Sequence, residues 1–193
     1  MKTVGDLETA IALCSKGEQA GYDALYDQFA PGIYRLCYGL LLNREDAEDV
    51  TQESFVYAFK NLHRFDAERS SLKTWLYTIA ICRCRNVYRR SRPILIDLSQ
   101  LLQIGLSAPK TETPEAMFAH QTAQEAVERA LAGLTPRLRE AIVLRYGHGL
   151  TYREVAEVMG CPQKTAESRV RLAHDALRGT LQGQGLLEEL ASI

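Results

Sequence analysis

Residues 150–177 read LTYREVAEVMGCPQKTAESRVRLAHDAL, and this stretch decides the fold of the second half of the chain. Thr151 followed three positions later by Glu154 is a capping box, and Leu150 and Val155 can form its hydrophobic staple. The helix so started ends at Gly160, a residue suited to the left-handed conformation after a helix. Pro162 opens a second helix, on which Ala166, Val170, Ala173 and Leu177 share one face. Two helices meeting through a tight turn at 160–161 predict a helix-turn-helix, with residues 163–178 as its recognition helix. Thr135 and Pro136 mark a further helix start upstream. Many helical hairpins share this pattern, so the rest of the chain has to decide what it does.

Working outward, helical periodicity dominates and strand-like alternation is nearly absent. Tyr22, Leu25, Tyr26, Phe29, Ile33, Leu36, Cys37 and Leu40 form an apolar stripe on a helix from about residue 19 to 42. Pro31 lies inside it and is expected to bend or interrupt it. Asn43 caps a new helix, with Glu45 and Asp46 in its first turn. That helix turns Ala47, Val50, Ser54 and Ala58 inward, with Leu62 at its end. After a polar stretch, Leu72, Trp75, Leu76, Ile79, Ala80 and Val87 define a helix ending near Arg92, with Trp75 as a core anchor. Residues 93–115 read as a linker punctuated by Pro93, Gly105, Pro109 and Pro114. Its first half is too apolar for a free tether, which predicts a short helix or a docked segment. The expectation is an all-α protein: two small helical domains, 1–92 and 116–187, joined by the linker 93–115 and followed by a tail, 188–193. The second domain is a helix-turn-helix, winged-helix-like but without strands.

Composition narrows the function classes. The chain has 193 residues, 46% hydrophobic and 24% charged, which suits a soluble folded protein. Cys14, Cys37, Cys82, Cys84 and Cys161 make an odd number with no bridge framework, which fits a reducing compartment. No secretion signal and no membrane-spanning run is evident. His63, His120, His148 and His174 show no metal-ligand or catalytic-triad spacing. Cys82 and Cys84 fall on different helix faces, and no phosphate-binding glycine loop is present. No metal, no cofactor and no enzymatic activity are therefore expected.

The net charge is −1, but the charges are unevenly distributed. Residues 43–68 hold seven acidic and three basic side chains, whereas 69–92 hold seven basic and none acidic. The basic run interleaves Trp75, Tyr77 and Tyr88 with its cations, which suits single-stranded nucleic acid: cations meet phosphates while rings stack on bases. The acidic run, with Glu45, Asp46, Glu48, Asp49 and Glu53, is a solvated face or a docking face for a basic protein.

These residues carry a family resemblance. Residues 42–55, LNREDAEDVTQESF, resemble the helix with which bacterial RNA polymerase sigma factors dock on core enzyme. Residues 70–80, SSLKTWLYTIA, resemble their segment that engages the −10 promoter element. The stretch from Leu134-Thr135-Pro136-Arg137 to Leu144-Arg145-Tyr146, then Thr151 to Ala156 and Ser168-Arg169-Val170, resembles their −35-binding domain. The similarity is to the extracytoplasmic-function (ECF) group of the sigma-70 family and spans roughly residues 20–92 and 120–182. It implies a cytoplasmic initiation factor that binds core polymerase, selects promoters and helps to open them. It also implies an anti-sigma factor as a partner.

By that resemblance, Asp46, Asp49, Gln52, Glu53 and Phe55 are assigned to core polymerase. The loop 63–71 with Lys73 surrounds a flipped base of the −10 strand, which must offset a few kcal/mol of unstacking. Arg69, Ser70, Ser71, Lys73, Arg83, Arg85, Asn86, Arg89 and Arg90 form the −10 set. On the recognition helix Lys164, Glu167, Ser168 and Arg171 share a face suited to reading bases, flanked by Arg153, Thr165 and Arg169. Glu167 stands where the family usually carries lysine, Lys164 where it carries glycine, and Pro162 replaces a usual serine cap. The rival readings are a stand-alone helix-turn-helix regulator, a decoy module that has lost promoter use, and an enzyme.

Overall fold

The computed structural model describes residues 4–90 and 125–183. Every described element is helical: α1 (Val4–Ser15), α2 (Gln19–Leu41), α3 (Arg44–Lys60) and α4 (Leu72–Arg90) in the first half. In the second half come α5 (125–132), α6 (Pro136–Ile142), α7 (Tyr152–Met159) and α8 (Gln163–Gly183). The linker and tail expectations fall outside the described residues.

The stripe on α2 forms the core of the first half. Leu25, Ile33, Leu36, Cys37 and Leu40 are buried against Ala47, Val50 and Ala58 of α3 and Leu72, Leu76 and Ala80 of α4. The buried Thr51 and Ser54 hydroxyls satisfy themselves on the carbonyls of Ala47 and Val50, at 2.7 and 2.6 Å. Trp75 is half-buried and packs on Phe65, with ring centroids 5.6 Å apart. Gly21 lets α1 approach α2 closely, because a Cβ there would lie 2.6 Å from the Cys14 nitrogen.

One expectation about α2 needs correction. Pro31 does not interrupt it. Pro31 and Asp27, whose carbonyl loses its amide partner, both lie on the exposed side, where water can take the place of the missing hydrogen bond. The helix stops at Leu41 because Leu42 turns left-handed, with φ 54°. That turn delivers Asn43 to its capping position, where its side chain accepts from the Asp46 amide at 3.0 Å.

The second half follows its sequence signals closely. Thr151 and Glu154 close the capping box in both directions, and Gly160 takes φ 65° at the end of α7. Between α6 and α7 the chain widens into a π-turn over Val143–Gly147.

Periodicity did not anticipate the seam between the halves. The Arg85 guanidinium grips the Glu140 carboxylate with two hydrogen bonds, 2.9 and 2.7 Å, and Arg137 adds a third at 3.2 Å. Glu140 is only 1% exposed. Next to it, Arg139 donates to the carbonyls of Leu40 on α2 and of Leu131, Ala132 and Leu134 at the end of α5, at 2.7 to 3.3 Å. Farther along, Lys73 Nζ donates to the His148 carbonyl at 3.3 Å. The Tyr77 hydroxyl lies 3.0 Å from His148 Nδ1, and their rings meet edge to face.

Burial, with the Lys73 and Arg35 cations adding to it, lowers the His148 pKa to about 4, while burial pushes Tyr77 up to about 12. His148 is therefore neutral at pH 7, and its Nδ1 can accept the Tyr77 proton.

Two outcomes are expected. Arg139→Leu should lower unfolding stability by about 3–5 kcal/mol in urea titrations, because buried helix-end carbonyls lose their donor. Between pH 6.5 and about 4 the unfolded chain binds more protons at His148 than the folded chain. The histidine's contribution is therefore full above pH 6.5 and is lost as pH falls toward 4. Subtracting the pH–stability curve of His148→Gln from that of the parent should isolate this loss. Identical curves would refute it.

Candidate nucleic-acid interface

The first polar surface is the solvent side of α3. Helix period places Asp49, Gln52 and Glu53 outward, while Ala47, Val50 and Ser54 face the core; Asp46 is half-buried at the first turn. Phe55 departs from its assignment. It is 3% exposed and packs on Tyr26 and Phe59, with centroids 4.8 and 5.6 Å apart, because its position falls on the apolar side of α3. It supports the acidic face from beneath and does not present itself to a partner. Sequence reasoning missed the exposed Val56 and Tyr57, which stand beside Glu53 and Gln52 and give this face apolar contact area. Their signal was two large apolar residues next to the charged positions.

The second surface is the loop 62–71 with α4. Phe65 anchors the loop on Trp75, and Asp66 folds it by accepting from the Glu68 amide at 3.0 Å. Ser71 starts α4, its hydroxyl accepting from the Thr74 amide at 3.1 Å. Arg69 and Ser71 are exposed and Ser70 is half-buried, so the loop presents polar groups to solvent. Along α4, Asn86, Arg89 and Arg90 are exposed, and Arg89 donates to the Asn86 side chain.

Three cations of the same set are already engaged. Lys73 reaches His148, Arg85 holds Glu140, and Arg83 bridges to Glu53 at 2.8 Å while lying over the Tyr57 ring. Arg83 thus ties the acidic face to the cationic one. The Glu140 hydrogen bond, the largest influence, holds the Arg85 proton more tightly than usual.

The third surface is α8. Ala166, Val170 and Ala173 are buried against the domain, which turns Lys164, Glu167, Ser168 and Arg171 toward an open groove. The groove has a volume of about 660 Å3 and is completed by Tyr146, Tyr152 and His174. Lys164 and Arg171 are exposed, and Thr165 and Arg169 half-buried along the rim. Arg153 is exposed on α7. Gln163, absent from the assigned set, donates to Glu167 at 2.8 Å and fixes its carboxylate. Tyr146 was also missed. The π-turn leaves it 63% exposed beside His174, and periodicity gives no sign of that turn.

Among the described residues no cluster of His, Cys, Asp or Glu could hold a metal ion. All five cysteines are free thiols. Among the described residues no helix is long and apolar enough to cross a membrane.

Comparison with known proteins agrees with this layout. The family described as Sigma-70 region 2 matches residues 25–94, and Sigma-70, region 4 matches residues 124–177. The ECF RNA polymerase sigma-E factor of Haemophilus influenzae is 32% identical, covering 86% of this chain and 90% of its own. The ECF RNA polymerase sigma factor SigW of Bacillus subtilis is 28% identical, covering 91% of this chain and 97% of its own. In fold, the chain is similar to CnrH in its complex with the cytosolic domain of CnrY (TM-score 0.67, 22% identity, 92% and 98% coverage). It is also similar to the sigma factor RpoE of Bartonella quintana in complex with the anti-sigma factor NepR (TM-score 0.66, 23% identity, 83% and 96% coverage). The α3–α4 unit and the helix-turn-helix thus coincide with the two matched regions, and the protein belongs to the ECF group of the sigma-70 family of RNA polymerase sigma factors.

Proposed function

We propose that the protein is a transcription initiation factor: it binds bacterial core RNA polymerase, directs it to specific promoters and promotes their opening. The observation that carries this reading is the match to both sigma-70 regions, in order, on a chain whose charges separate into an acidic α3 and a cationic α4. A general DNA-binding regulator needs the helix-turn-helix but not this separation.

In this reading 1–92 is the core- and −10-binding domain, 93–115 the linker and 116–187 the −35-binding domain. Asp46, Asp49, Gln52 and Glu53 meet a basic surface of polymerase, with charge steering the encounter. The loop 63–71 and Lys73 receive an unpaired base, while Arg83, Arg85, Arg89 and Arg90 hold the strand by its phosphates. The N-terminal half of α8 enters the major groove, where Lys164 and Arg171 can read guanine and Glu167 can accept from cytosine N4. The chain supplies binding and positioning, and the polymerase carries out the phosphoryl transfer. Its place of action is the cytoplasm, with core polymerase. An anti-sigma factor is a fitting partner, because RpoE of Bartonella quintana is seen bound to one.

Run-off transcription with core polymerase and a promoter library tests the proposal. Specific starts sharing −10 and −35 sequences are expected, and failure to bind core or initiate would overturn it. Glu167→Lys should change base preference at a single −35 position by about 1–3 kcal/mol and leave the −10 consensus unchanged.

A further inference from the structure

A cavity of about 310 Å3 lies between α2, α5 and the π-turn. None of its lining residues belongs to the sets assigned to polymerase or to promoter DNA. Tyr34, Tyr38, Leu42, Val127, Leu131 and Val143 make its wall almost wholly apolar, while Arg35, Glu128 and His148 bring the polar groups. We propose that this cavity binds a small amphipathic carboxylate, whose hydrocarbon body fills the apolar wall and whose anionic head meets Arg35.

Two departures from regular helix meet at this wall. Tyr34 and Tyr38 lie one turn apart on α2 and stack, with centroids 6.2 Å apart and planes 22° from parallel. Leu42 joins them from a left-handed backbone, with φ 54°, which is uncommon for a residue with a side chain. Opposite, the π-turn sets Val143 at one end of the wall and the bare backbone of Gly147 at the other. Strained backbone and π-turns concentrate where a ligand has to be accommodated. Gly39 lets α2 and the π-turn approach, because a Cβ there would lie 3.2 Å from Val143 Cγ1. Val127 is left 40% exposed at the edge, so the apolar surface is not fully covered by the chain around it.

Size and charge select the occupant. At about 30 Å3 per non-hydrogen atom, the cavity takes a body of about ten, the size of octanoate. Arg35 is exposed, and among the described residues no carboxylate meets its guanidinium. Its charge reaches inward: burial, then Lys73, then Arg35 keep His148 neutral. Glu128 is already engaged, accepting from the Tyr38 hydroxyl at 3.0 Å. Burial, and then Glu128, raise the Tyr38 pKa and hold that proton in place. An anionic head therefore finds a cation with hydrogen bonds to give, whereas a cationic head finds an acid already occupied and Arg35 repelling it.

The test is isothermal titration calorimetry on the full chain, with sodium octanoate as probe and 1-octanol as its uncharged counterpart. It needs neither polymerase nor DNA, so its outcome is separate from that of the promoter reading. Arg35→Gln, Arg35→Lys and Val127→Trp all change exposed positions, and circular dichroism checks that each keeps native helicity.

The parent should bind octanoate at one saturable site with Kd of about 0.1 mM. Arg35→Gln should weaken octanoate about fivefold and leave octanol unchanged, and Arg35→Lys should restore most of the loss. Val127→Trp, which fills the cavity edge, should abolish binding of both. No saturable binding to the parent would overturn the site. So would octanoate binding that Val127→Trp leaves intact, and binding lost in Val127→Trp but indifferent to Arg35→Gln would overturn the carboxylate as the ligand class. Octanoate binding only after Leu101→Ser and Leu102→Ser would assign the cavity to the chain's own segment 94–106 instead. A dimer in sedimentation velocity that Val127→Trp dissociates would assign it to a second copy.

Discussion

The structure depends on how two adjacent opposite charges, Arg139 and Glu140, are satisfied away from water. A buried charge is tolerated only when paired and hydrogen-bonded. Arg139 spends its donors on the carbonyls that end α2 and α5, where the helix dipoles are negative. Glu140 turns the other way and takes Arg85 and Arg137. One residue thus ties α6 to the ends of two helices, and its neighbour ties α6 to α4. The Leu40 carbonyl also accepts from the Tyr88 hydroxyl, so the end of α2 is fixed from both halves of the chain.

This arrangement explains how a nearly neutral protein can serve a polyanion. The acidic and basic residues are sorted onto different helices, and Arg83 with Glu53 joins the two surfaces at one exposed contact. The second domain compensates part of the remaining positive charge through Glu140. The α8 helix carries little excess charge of its own, and Gln163 fixes the Glu167 carboxylate on its exposed side.

Much of the fold was legible because its signals are local. The capping box at Thr151 and Glu154, the left-handed Gly160 and the Asn43 cap each involve residues three or four apart. Burial on α2 and α3 followed helical period for the same reason. Pro31 does not break α2 because the carbonyl whose amide partner it removes belongs to Asp27, on the exposed side of the helix. Phe55 misled because a family motif names a position without saying which way its ring points. Tyr146 was missed because a π-turn shifts the helical register by one residue, which periodicity cannot register.

By itself, the sequence determined the helices, their caps, the inward faces and the separation of charge between α3 and α4. These depend on near neighbours along the chain. Only the tertiary structure decided that Arg85 meets Glu140, that Tyr77 meets His148, and that Arg139 closes the ends of α2 and α5. Those partners lie 55, 71 and up to 99 positions apart. Nothing in local propensity or periodicity pairs polar groups across such separations. They find each other because burying either one alone costs more than the fold can bear.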